Sequence, residues 1–102
     1  MARLVVLYKR PTDPTAFDRH YFEIHVPITK RIPGLQKYEV SQGAIASSGG
    51  PSDYHLIATL HFDSVAALQK ALASAEGQAA AADLHNFAAA GVELLLFESR
   101  EV

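Results

Sequence analysis

Two segments of this chain, residues 3–9 (RLVVLYK) and 92–99 (VELLLFES), are too short for stable helices, and both are apolar on both parities. Successive side chains of a strand point to opposite faces, so strands of this kind need apolar cover above and below. With 102 residues, 49% of them apolar, the chain has material for one cooperative core. It reads as a single domain over 1–102, and a second folded unit is excluded. One domain must therefore find two covers for one sheet.

The segments between these strands supply the first cover. Asp13-Pro14 predicts a helix start, the carboxylate capping free N–H groups and the proline occupying the first turn. From there Phe17, Tyr21, Ile24 and Ile28 fall within about 60° on a wheel of 100° per residue, a single buried stripe. Pro27 removes the hydrogen bond to the carbonyl of Glu23, which predicts a kink or restart near His25 and Val26. Pro33-Gly34 ends the helix. Residues 35–45 read as a second strand with Tyr38 and Val40 on the buried parity, and Ala46 to Asp53 as a loop. Residues 54–62 form a third strand, with Leu56, Ala58, Leu60 and Phe62 on one parity and His55, Ile57, Thr59 and His61 on the other. Asp63 or Ser64 caps a short helix carrying Val65, Leu68 and Leu72; Ser74 caps another that turns Ala80, Leu84 and Phe87 inward; Gly91 closes it.

The order βαββαβ predicts an α+β split βαβ fold, an antiparallel four-stranded sheet with its helices on one face. Helices cover that face only. The economical cover for the other is a second copy packed sheet to sheet, so the pattern predicts a homodimer, against the alternative of a slim monomer whose second face is only partly apolar.

Composition removes several function classes. The chain has no cysteine, which excludes disulfides, thiolate chemistry and Cys-ligated metals, and its net charge of −2 is not the basic surface that nucleic acid requires. The uncharged run Leu4 to Tyr8 is shorter than the roughly 7–15 residues of a signal core, so a cytoplasmic protein without membrane partners is expected.

The motifs Asp13-Pro14-x-x-Phe17-Asp18, His20-Tyr21-x-x-x-His25-Val26-Pro27-Ile28 and Ile32-Pro33-Gly34-Leu35-x-x-Tyr38 resemble the EthD family, named for a component associated with bacterial ethyl tert-butyl ether degradation. The run Ser74-x-Glu76-Gly77-Gln78 through Asp83-Leu84-x-Asn86-Phe87-Ala88 resembles the same family's third helix. The resemblance implies ferredoxin-like subunits in a dimeric α+β barrel. The wider superfamily includes cofactor-free monooxygenases, polyketide-tailoring enzymes and lactone isomerases, so it narrows the fold more than the reaction.

In such a fold the natural cavity lies between the helices and their face of the sheet. His25, on the flank of the stripe shared with Tyr21 and just before the proline, is the candidate general acid/base; the alternative is a histidine that binds a carbonyl freed by Pro27. Tyr38 is the candidate hydrogen-bond donor to a substrate carbonyl or oxyanion, because lactone isomerases resembling the family use a histidine and a tyrosine at comparable positions; the alternative is an ordinary core aromatic. Tyr21, Phe17, Ile28 and His85 are candidate substrate-binding residues, Tyr21 with its hydroxyl at the cavity edge and His85 as either a surface histidine or a pocket-lining variation. Asp18, roughly 10 Å along the helix, is too far to orient His25.

His20 falls on the opposite flank from His25, and His55 and His61 are about 20 Å apart on their strand, so neither pair makes a metal site. No metal and no cofactor are expected. Three functions follow from different classes. The first is a cofactor-independent isomerase, lyase or related proton-transfer enzyme acting on a small apolar carbonyl, lactone or aromatic compound in catabolism. The others are a non-catalytic ligand-binding or accessory module of a degradation pathway, and a cofactor-free monooxygenase.

Overall fold

The computed structural model describes all 102 residues. Strand β1 spans Ala2–Lys9, and a helical segment follows as α1 (Pro14–His20), a wide π turn (Tyr21–His25) and α2 (Val26–Thr29). Strand β2 is Lys37–Val40, a two-residue ribbon pairs β3 (Ala46–Ser47) with β4 (Gly50–Pro51), and β5 is Tyr54–Phe62. Helices α3 (Val65–Ala73) and α4 (Ala75–Phe87) lead to the last strand, β6 (Val92–Glu98).

The main sheet has the order β2-β5-β1-β6 with every neighbouring pair antiparallel, the arrangement expected of the βαββαβ order. The expected strand 35–45 is much shorter, and the loop expected at 46–53 contains the small ribbon, closed by glycine at position 50 with φ +118°. Asp13, Ser64 and Ser74 cap their helices through Ala16, Ala67 and Gly77 backbone N–H groups. Gly77 has a second reason to be glycine: a Cβ there would lie 2.2 Å from the Ala71 carbonyl oxygen, so α3 and α4 meet at backbone distance.

The helix-side face holds the core. Leu4, Val6 and Tyr8 of β1 and Leu56, Ala58, Leu60 and Phe62 of β5 are all buried there, beneath Phe17, Tyr21 and Leu68. Each large apolar side chain so buried contributes about 1.5–3 kcal/mol. On the opposite face Val5, Leu7 and Ile57 are half-buried, and on β6 Leu95 and Phe97 are 48% and 43% exposed. Leu94 and Leu96, on the helix side of the same edge strand, are also over 40% exposed, because the helical layer stops short of it.

Two local irregularities redirect side chains. The β1–β5 register passes from Tyr8↔Leu56 to Lys9↔Tyr54, leaving His55 as the extra residue of a bulge. His55 therefore leaves the parity of His61 and sits on the helix side, against the Phe17 ring (4.9 Å) and hydrogen-bonded to Asp18 (2.8 Å). In the helical segment, the Val26 N–H reaches the Tyr21 carbonyl, an i→i+5 bond. The wider turn advances less per residue than the α-helical wheel assumes. Ile24 consequently turns outward, 46% exposed, and His25 takes the buried place; the buried residues run Phe17, Tyr21, His25, Thr29. Pro27 falls just beyond this turn, where the helix restarts as expected.

Candidate functional site

The π turn places His25 against α4, and α4 answers with Asp83. His25 is 5% exposed and Asp83 6%, and His25 Nδ1 lies 2.8 Å from Asp83 Oδ2. The same carboxylate accepts from His20 Nε2 at 2.9 Å (Oδ1) and 3.1 Å (Oδ2), and from Asn86 Nδ2 at 2.9 Å. Burial works against the ionised carboxylate, but hydrogen bonds from Asn86, His20 and His25 outweigh it and hold Asp83 below the ordinary aspartate range. An ionised carboxylate only accepts, so His25 must donate from Nδ1. Its lone pair then resides on Nε2. Burial lowers the His25 pKa, and the opposing pull of Asp83 does not restore it, so the imidazole is neutral at pH 7.

His25 lines a cavity of about 60 Å³ between the helices and the sheet, with Leu4, Val6, Ala58, Leu60 and Leu84 among its apolar walls. At the same cavity Tyr21 and Tyr38 meet hydroxyl to hydroxyl at 2.5 Å. Burial, then the neighbouring Tyr38, keeps Tyr21 protonated far above the ordinary phenol value, while Tyr38 is raised chiefly by burial and eased by Tyr21. Either hydroxyl can donate to the other, and when Tyr21 donates, the Tyr38 proton is left for a ligand. Thr29, a further wall residue, is 3% exposed; its hydroxyl lies beside Tyr38 without reaching hydrogen-bond geometry and has no partner in the protein. No lysine, arginine or acidic side chain lines the cavity. It offers a neutral base at Nε2, a phenolic donor and an apolar wall.

The structure thus brings His25, Tyr38 and Tyr21 together. It separates the other three candidates from them. Phe17 is a core residue stacked on Tyr21 (5.9 Å) and outside the cavity wall; Ile28 faces a separate shallow hollow with Arg31 and Glu76; His85 is exposed on α4 and lines no part of the cavity. His85 follows Leu84, which does turn inward, by one residue and about 100° on a helix, which carries it to solvent. Asp18 engages His55 rather than His25.

Asp83 and Asn86 are the residues missed in the sequence. The signal was present: Asp83 lies three residues after Ala80 and four before Phe87, on the inward stripe of α4. His20 was placed on the wrong flank because a five-residue step separates faces on an α-helix but joins them across a π turn. The His20–Asp83–His25 group is not arranged to hold a metal ion.

A split βαβ subunit with an imidazole–carboxylate pair opening on an apolar cavity is the class these features define. A family model described as EthD domain matches residues 9–91, and the chain belongs to that family. It is 39% identical over 102 residues to an uncharacterized 11.0 kDa protein of the thcB–thcC intergenic region of Rhodococcus erythropolis, covering 100% of this chain and 98% of the relative. An EthD (ethyl tert-butyl ether) family protein from Bacillus halodurans superposes with a TM-score of 0.90 at 36% identity, covering 98% of this chain and 99% of that one. More distant structures share the fold alone. SnoaB, a cofactor-independent oxygenase from Streptomyces nogalater, has a TM-score of 0.69 at 18% identity over 99% and 94% of the two chains. A dimeric ferredoxin-like protein from Thermobifida fusca has 0.69 at 15% over 94% and 88%. No helix is long and apolar enough to cross a membrane.

Proposed function

We propose that this EthD-family protein is a cofactor-independent enzyme that moves a proton at carbon next to the carbonyl of a small, neutral, largely apolar ketone, lactone or aromatic compound. The observation that supports the reading is the His25–Asp83 pair: the carboxylate accepts the Nδ1 hydrogen bond, which leaves the lone pair on Nε2 of a residue that lines an apolar cavity. A neutral imidazole takes the proton at Nε2, the charge developing on the carbonyl oxygen is met by the Tyr38 hydroxyl, and Asp83 stabilises the imidazolium that forms. The low polarity of the walls strengthens both interactions. An anionic ligand has no cation to meet and is rejected.

The test uses probes in place of a physiological substrate. Deuterium uptake next to the carbonyl of cyclopentanone and γ-butyrolactone is followed in D₂O by NMR. The protein accelerates uptake, and His25→Gln removes about 10²–10⁴ of that acceleration. Uptake no faster than in buffer across such a panel, with the probes nevertheless bound, would replace the enzyme by a ligand-binding module. The likeness to the oxygenase is one of fold and brings no oxygen chemistry with it.

We propose in addition that two copies pair through the outer sheet face. Val5, Leu7, Ile57, Leu95 and Phe97 supply an apolar surface there that nothing in the subunit covers, and the Thermobifida neighbour is described as dimeric.

A further inference from the structure

The pair used above leaves His20 unexplained. Its Nε2 touches both oxygens of Asp83, its ring stacks on Phe87 (5.1 Å), and its side chain is 22% exposed, beside an open hollow of about 510 Å³ lined also by Asp13 and Asn86. Because Asp83 only accepts, His20 donates from Nε2, and Nδ1, which has no protein partner, is its protonatable nitrogen. The two imidazoles therefore share one carboxylate and offer one free nitrogen each, His25 on the cavity side and His20 on the solvent side.

One proton added to either ring makes the three-residue group neutral. A second leaves a net positive charge on a group in which His25 and Asp83 are buried (5% and 6% exposed), which desolvation opposes. We infer that His20 is a positioning residue that couples His25 to solvent: a proton taken from outside by His20 and a proton taken from the cavity by His25 exclude one another. Neutral His20 leaves the whole Asp83 charge to His25, and protonated His20 claims it. The other ionisable groups facing these rings are Tyr8 on β1, Tyr21 on the π turn and Tyr38 on β2 around His25, and Asp13 beside His20. The tyrosines are held in their neutral form by burial, and the Asp13 carboxylate is engaged with the Ala16 N–H at the start of α1.

The inference rests on His25 being the cavity's proton acceptor, and its test needs no ligand. Both imidazoles are titrated by ¹⁵N NMR in the wild-type chain, in His20→Gln, whose amide still donates to Asp83 but takes no proton, and in His20→Phe, which donates nothing. Wild type should show each ring responding to the other's protonation in two linked steps. In His20→Gln, His25 should titrate in one step with a proton affinity about threefold or more higher. Independent single-step curves in wild type overturn the coupling. So does His20→Gln behaving as wild type while only His20→Phe differs, since His20 would then merely hold Asp83 in place. Linked titration without probe exchange keeps the coupling and removes the catalytic reading, whereas exchange without linkage removes only the coupling.

Discussion

The two faces of β1 began as equals in the sequence and end with different tasks. Leu4, Val6 and Tyr8 are 3%, 6% and 2% exposed beneath the helices, while Val5 and Leu7, one residue away, remain only half-buried. The covered face carries the cavity and its ionisable group; the uncovered face sets Val5, Leu7, Leu95 and Phe97 beside polar side chains, among them Arg3, Glu93 and the His61–Glu39 pair (2.8 Å). An apolar surface under a complete cover can be shaped around a ligand, because close packing fixes the side chains lining it. The half-covered apolar surface is the one that the proposed pairing of two copies would bury.

The largest effect that would sharpen this contrast lies under the helices. Asp83→Asn keeps the shape but removes the charge and turns one accepting oxygen into a donating NH₂, so the His25 tautomer is no longer fixed and probe exchange should fall by about 10²–10⁴, measured by the same deuterium assay. Next comes packing. Leu60→Ala in the core should cost about 2–5 kcal/mol in chemical denaturation, whereas Thr59→Ala, the next residue on the opposite face, should stay within about 0.5 kcal/mol. Comparable losses at both positions would break the comparison.

A pH series reads the covered face again. His25 has a lowered pKa, so the unfolded chain binds its proton first and stability falls as pH drops below about 6.5, the ordinary histidine value. Asp83 has a lowered pKa as well, so its contribution is present above the ordinary aspartate value and is lost as pH falls through the folded one. Both act on the acid side, and denaturation midpoints should decline in two stages on acidification. In His25→Gln the first stage should shrink. The smallest effect on the subunit itself is expected outside: Phe97→Lys should reduce the sedimenting mass to a single chain at micromolar concentration while leaving probe exchange within about twofold, since the side chain touches no cavity wall. Retention of a double mass would show that the outer face is not the contact.

Much of the architecture was legible because its signals are local. Asp13, Ser64 and Ser74 are caps wherever a helix follows them, and the alternation in 54–62 specifies a half-covered strand without reference to the rest of the chain. The site was half legible. His25 and Tyr38 were readable as chemistry-bearing residues in a motif resembling a family, but Asp83 lies 58 positions from His25, and no local pattern states that they meet. His55 and Ile24 were misplaced for one shared reason: a bulge and a π turn each change the residue count by one, and a periodic reading carries that error onward.

By itself, then, the sequence determined the βαββαβ order and a sheet with more apolar surface than its own helices hide. Backbone propensity and side-chain period are properties of neighbouring residues and need no third dimension. Only the tertiary structure decided that His25 turns inward, that Asp83 meets it with His20 on its other side, and that Phe17, Ile28 and His85 stand away from the cavity. Those outcomes depend on how one wide helical turn faces a helix more than fifty residues later, and such a meeting is fixed by packing, not by order along the chain.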